Sequence, residues 1–265
     1  MKYNTIGVIA LCLIVSCFQI NSQNKNDSEN EKWIQLFNGK NLDGWNVKIT
    51  GHKLNDNYKN TFRVNDGVLQ VNYDQYDGVF NNSFGHIFYK NEYSNYKMRL
   101  EYRFTGEQLK DMASWAARNS GVMIHCQAPE TMNINQKFPV SIEVQLLGGL
   151  GEGERPTANV CTPGTHIYLK DDLEKKHCIS SSSKTFHGDQ WVQLEILVKN
   201  DEIISHKING ETVMTYFKPQ IGGKVDFDIE AWKKKEGQPL KKGYISLQSE
   251  SHPVEFKNIE LLEIK

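Results

Sequence analysis

Several segments of the chain place carboxylates, amides, arginine or histidine at every second residue. Glu101 and Arg103 alternate with Leu100, Tyr102 and Phe104. Glu143 and Gln145 alternate with Ile142, Val144 and Leu146. Asn119 precedes a run in which Val122, Ile124 and Cys126 read as core, with Met123, His125 and Gln127 opposite. Gln248, Glu250 and His252 share a side if their strand stays regular. These side chains suit recognition of sugar hydroxyls, cation binding or proton transfer. A solvated outer face explains any one such strand by itself. Plain solvated strands favour Lys, Thr and Ser, however, and these carry Glu, Gln, Asn, Arg and His. If the strands are neighbours, the groups meet on one concave surface.

The elements that must position them are strands. Past residue 35 the chain consists of short alternating runs separated by Gly, Asn, Asp and Pro. Asn65-Asp66-Gly67 and Asn209-Gly210 are strong hairpin signals. About a dozen strands at short spacing predict an all-β sandwich or jelly roll, with short helices in loops near residues 107–117 and 228–235. The absence of alternating long helices excludes a doubly wound α/β fold. Trp115 and Trp232 sit in the long polar segments 107–118 and 222–242, which could rim a cleft and offer rings for sugars to stack on. Gly-x-Ser-x-Gly and His-Glu-x-x-His are both missing, so the hydrolase elbow and the zincin site are excluded.

Composition narrows the field further. The 265 residues carry 31 basic and 32 acidic side chains, so no positive field exists to hold nucleic acid. Residues 1–16 read as a secretory signal peptide, with Lys2 ahead of an apolar run over 6–15. Ile14-Val15-Ser16-Cys17 resembles a bacterial lipobox, which makes Cys17 the expected lipidation site. An ordinary signal peptide cut elsewhere is the alternative. Residues 17–32 form a polar tether, and 33–265 the folded domain. The chain is then exported across the inner membrane and lipid-anchored in the bacterial envelope, in the periplasm or at the outer membrane, touching the membrane only through that anchor. Cys161 and Cys178 bracket a Pro-Gly turn and a short apolar strand, which suits a hairpin closed by a disulfide outside the cytosol. Cys126 is then a free thiol.

Longer motifs carry a resemblance. Leu36-Phe-Asn-Gly-Lys-Asn-Leu-Asp-Gly-Trp45 resembles the opening signature of the 3-keto-disaccharide hydrolase family. So do Leu100-Glu-Tyr-Arg103, Asn119-Ser-Gly121, Glu143-Val-Gln145, Asn209-Gly210, Gly243-Tyr-Ile-Ser-Leu-Gln248 and Phe256-Lys-Asn-Ile259, in the family's order. The resemblance implies a concanavalin-like sandwich that cleaves glycosides already oxidised at C3 of the sugar. It implies a catalytic role for Glu143 as acid/base, with Glu101 beside it, and Glu250, which stands where the sequence departs from the family, becomes a further catalytic candidate on the same face. Arg103, Asn119, His125, Gln145, Gln248, His252 and Trp115 become substrate-binding candidates. A divalent cation, held by Glu101 and Glu143, is a possible electrophile beside the ketone. The sequence departs from the family at His125, at Leu147-Gly148-Gly149 and at Glu250-Ser251, where the family favours Arg, Asp and His-Gly. Two other classes stay open: a non-catalytic carbohydrate-binding lipoprotein, and a conventional two-carboxylate glycosidase.

Overall fold

The computed structural model describes residues 1–2 and 32–264, so Cys17 and nearly all of the expected signal peptide and tether lie outside the described residues. The strands run in the order β1 (Ile34–Gln35), β2 (Trp45–Ile49), β3 (Phe62–Asn65), β4 (Val68–Val71), β5 (Gly85–Tyr89), β6 (Asn95–Phe104), β7 (Asn119–Cys126), β8 (Ile142–Leu147), β9 (Asn159–Cys161), β10 (Thr165–Leu169), β11 (Asp172–Glu174), β12 (Cys178–Ile179), β13 (Val192–Lys199), β14 (Ile203–Ile208), β15 (Glu211–Ile221), β16 (Tyr244–Ser249) and β17 (Val254–Glu263). One short helix, α1 (Ile229–Lys233), lies between β15 and β16. The expected helix over 107–117 reduces to a 3-10 turn at Ser114–Ala116.

The strands form two antiparallel sheets packed face to face. The larger has the order β11-β10-β15-β14-β13-β6-β17-β4-β3, with β1 added beside β17. The smaller has the order β12-β9-β8-β7-β16-β5-β2. This is the predicted sandwich. Its core is the inner side of both sheets, where Tyr96, Met98, Leu100 and Tyr102 of β6 meet Val122, Ile142, Val144 and Leu247. The two hairpin signals act as expected. Asp66 and Gly67 join β3 to β4, and Asn209 and Gly210 join β14 to β15, all four with positive φ.

The sheets differ on their outer sides. In β6, Lys97, Arg99, Glu101 and Arg103 are only half-buried between fully buried neighbours, an ordinary solvated face. In β7 every residue is buried, and so is Glu143 of β8. The smaller sheet is therefore covered on its outside too. At one end the cover is apolar, with Phe88, Met123, Cys126 and Met132 packed together. At the other end it is polar.

Candidate active site

The polar end is built mainly by β7, β8 and the exit of β16. Met123 of β7 pairs with Glu143 of β8, and Gly121 with Gln145. Glu143 in turn pairs with Cys161 of β9, and Cys161 with Cys178 of β12. The Cys161–Cys178 disulfide is formed, as the hairpin reading expects, and it stands beside Glu143. Cys126 is a buried free thiol. A cavity of about 390 Å³ opens over this row, lined by Trp115, Asn119, Glu143, Gln145, the disulfide and Glu250, with Phe138 and His177.

Glu143 leans sideways across Gly121. A Cβ placed on Gly121 would lie 2.6 Å from Glu143 Oε1 and 2.9 Å from its Cγ, so only glycine leaves this seat open. Burial pushes the Glu143 carboxyl up to about 8 from an ordinary 4.5. Glu250 is raised well above the carboxylate range, first by burial and then by the charge of Glu143. Among the described residues neither carboxyl makes an ion pair. Two acids this close and this buried cannot both ionise, so over a wide pH range the pair holds one proton between them.

The amides around the pair are oriented by the chain. The backbone N–H of Ser181 donates to Asn159 Oδ1 at 2.9 Å, which fixes the Asn159 amide. Asn159 Nδ2 therefore donates to Gln145 Oε1 at 3.0 Å. That contact fixes which end of the Gln145 amide is oxygen and leaves its two N–H donors for other partners. Asn119 and Gln248 are both buried, and Asn119 Oδ1 and Gln248 Oε1 have no protein partner. Trp115 is 54% exposed at the rim, its carbonyl held by Arg155 Nη2 at 3.2 Å.

Four expected members do not join this group. Glu101 and Arg103 belong to β6 of the larger sheet, on its outer side. Glu101 accepts from Asn258 Nδ2 at 2.6 Å and pairs with Lys257. Arg103 donates to Glu255 at 2.6 Å and lies over the Trp191 ring. His125 is turned away by a bulge: Cys126 pairs with Tyr244 but Met123 with Ser246, so one residue of β16 faces two of β7. His125, at φ 49°, contacts the Asn200 carbonyl through Nε2 at 3.0 Å, and burial lowers its pKa to about 4. The slip leaves Cys126 rather than His125 on the outer side with Met123. At the end of β16, Ser251 takes φ 81° and breaks the alternation. Glu250 stays at the cavity, while His252 packs edge-on against Phe104 at 5.7 Å, its pKa lowered to about 4 by burial and then by Arg118.

These placements also bear on the cation. Its expected ligands, Glu101 and Glu143, lie in different sheets and do not meet. Among the described residues no three His, Cys, Asp or Glu side chains converge as a metal cage requires. The residues present do not fit the expected cation.

One buried group went unforeseen. His86 of β5 pairs with Gln248 on one side and Lys48 on the other, and neither ring nitrogen has a partner. Burial, and then the Lys48 charge, lower its pKa to about 3, so His86 is neutral. The run His86-Ile-Phe88 carried the alternation that could have revealed it.

A buried carboxyl pair and oriented amides beside a rim tryptophan suit carbohydrate chemistry, and the family match places this two-sheet antiparallel sandwich among the carbohydrate-active domains. Within that class, the chain belongs to the family of 3-keto-alpha-glucoside-1,2-lyase-like domains, whose sequence model matches residues 32–262. Two solved structures from Parabacteroides distasonis ATCC 8503, both of inferred glycosyl hydrolases, share the fold. One is 19% identical and covers 88% of this chain and 100% of its own, with a TM-score of 0.52. The other is 18% identical, covers 89% and 95%, and has the same TM-score of 0.52. No curated protein matches the chain.

Proposed function

We propose that the protein cleaves 3-keto-glycosides by elimination and hydration, with Glu143 and Glu250 as its acid/base pair. The observation that carries this reading is the pair itself, two buried carboxyls raised above their ordinary range beside a cavity. A ketone at C3 acidifies the proton on C2. The ionised carboxyl of the pair removes that proton, and the electron pair passes into the C2–C3 bond as an enolate. The enolate then re-forms the ketone and expels the C1 substituent, leaving a C1–C2 double bond. The protonated carboxyl supplies the proton that the leaving oxygen takes up. Water adds back at C1 and a proton at C2, which completes a net hydrolysis.

The raised carboxyls suit both halves of this exchange. A base with an elevated pKa is stronger when ionised, and its neighbour is still protonated at neutral pH. Gln145 is the donor for the enolate oxygen, because its own oxygen already accepts from Asn159 and its N–H groups remain available. Asn119 and Gln248 read hydroxyls with their free amide groups, and Trp115 offers a ring face. The leader and Ser16-Cys17 support a lipid-anchored place at the bacterial envelope, and the Cys161–Cys178 bridge suits that oxidising compartment.

The test uses 3-keto-trehalose and 3-keto-sucrose beside their unoxidised parents, each with and without EDTA. Cleavage confined to the oxidised sugars, and abolished in Glu143→Gln with the fold intact, is the expected result. Cleavage of the parent sugars would point instead to a conventional two-carboxylate glycosidase. Binding without cleavage of either would point to a lectin-like role. Loss of activity in EDTA, restored by a divalent cation, would reinstate the metal.

A further inference from the structure

The carboxyl cavity does not end at the disulfide. A second cavity of about 350 Å³ shares Phe138, Pro163 and His177 with it. A third, of about 330 Å³, shares Gly164, Gly223, Lys224 and Val225 with the second and reaches Trp232. The three cavities adjoin in series, each sharing lining residues with the next, and each has the size of a small-ligand pocket. One side is the β9–β10 turn that carries the disulfide. The other is the segment between β15 and β16.

Two glycines hold these walls together. A Cβ on Gly164, at φ 68°, would lie 2.7 Å from Val225 and 2.9 Å from Val140, so the segment docks only because that atom is missing. Gly222 gives way in the same manner to the ring of His166. His166 lines the second lobe, is 9% exposed, and has no partner for Nδ1. At the far end Lys235 Nζ sits 4.7 Å from the Trp232 ring centroid, steadying one face of the indole. Trp232 itself is half-buried and lines the third lobe. An unpartnered buried polar atom followed by an aromatic platform is what a chain of sugar rings needs beyond its first unit.

We infer that these adjoining cavities act as a trench that holds the leaving-group side of the substrate, and that the preferred substrate is an oligosaccharide of three or more sugars rather than a disaccharide. The inference rests on the proposed reaction, because that reaction sets C1 of the oxidised ring at the carboxyl pair. Everything attached through C1 must then extend away from the pair, and the trench is the room provided. The second ring lies along the disulfide wall, the third beside His166, and the fourth on Trp232.

The experiment measures calorimetric affinity of full-chain Glu143→Gln protein for α- and β-linked gluco-oligosaccharides of two, three and four units. Each is oxidised at C3 of its non-reducing ring. In one linkage series the four-unit ligand should bind about tenfold more tightly than the two-unit ligand. Adding Trp232→Ala should remove the gain of the fourth unit alone. Adding His166→Ala should weaken the three- and four-unit ligands and spare the two-unit one. Equal affinity at every length, or a length gain that survives Trp232→Ala, would overturn the inference. Wild-type turnover of the oxidised disaccharide separates the two claims. Turnover without a length gain leaves the reaction and removes the trench. A Trp232-dependent gain without turnover removes the reaction and leaves a glycan-binding trench.

Discussion

Gly121→Ala isolates the Glu143 seat from the rest of the fold. Gly121 lies inside β7 with no left-handed φ, so alanine is compatible with its backbone. The Glu143 side chain, two residues along β8 from the cross-strand partner Gln145, fills the space over it, and the added methyl would lie 2.6 Å from Oε1, 2.9 Å from Cγ and 3.1 Å from Cδ. Ordinary contact begins near 3.4 Å, so the carboxyl must retreat by roughly 0.8 Å, and because Cγ is crowded as well, turning the carboxyl alone does not relieve it. A misplacement of about 1 Å costs about 10²-fold in rate, or roughly 2.7 kcal/mol of transition-state stabilisation. Stability should fall by no more than about 1–3 kcal/mol, the ordinary cost of overpacking a buried site, offset in part by the roughly 0.4–1 kcal/mol that a glycine-to-alanine exchange contributes through the unfolded chain.

The assay is kcat/KM on a 3-keto-glucoside beside thermal melting of the same protein. A double-mutant cycle removes the remaining ambiguity. In a Glu143→Ala background the methyl has space, so Gly121→Ala should be silent there. A Gly121→Ala protein that melts like the wild type and keeps its kcat/KM would refute the assignment of Glu143. A cycle in which the two losses simply add would refute the steric route.

The carboxyl pair also makes stability depend on pH. Both folded-state pKa values are raised, so the folded protein binds more protons than the unfolded chain between about 4.5 and about 8. Denaturant stability should therefore be greatest below that window and fall as pH rises through it, and Glu143→Gln/Glu250→Gln should flatten the fall. Cys161→Ala/Cys178→Ala opens a link between residues 17 apart and should cost about 3 kcal/mol in urea unfolding. Because the bridge is a wall of the cavity, KM should rise as well. Glu101→Gln removes only a partly exposed contact to Lys257 and Asn258, so it should cost less than about 1 kcal/mol and leave kcat/KM unchanged.

The alternation in the sequence revealed faces but not sheets. Ile142, Val144 and Leu146 turn inward as their spacing requires, which is why Glu143 and Gln145 were found together. Glu101 and Arg103 obey the same rule, yet β6 pairs with β13 and β17 rather than with β7 or β8. Strand pairing is long-range, and no local pattern encodes it. His125 and His252 were misplaced for another reason. A bulge and one positive-φ serine each shift the alternation by a residue, and a one-residue shift turns every later side chain to the opposite face.

The burial of the carboxyl pair is the strongest argument for chemistry rather than recognition alone. A carbohydrate-binding surface needs hydroxyl readers and a ring to stack on, and both work well in water. It gains nothing from two carboxyls buried against each other without a cation, an arrangement that costs stability at every pH where either ionises. The larger sheet shows the alternative available to this same chain. There Arg99 and Arg103 donate to Glu260 and Glu255 across neighbouring strands, so each acid is matched by a cation. On the smaller sheet Gly121 gives up a side chain to make room for Glu143, and Asn159 spends its amide orienting Gln145. Such concessions destabilise the resting protein. In the proposed reaction they become favourable once a developing negative charge and a proton in transit occupy the cavity, because groups already fixed in a water-poor site need no reorganisation when the charge appears.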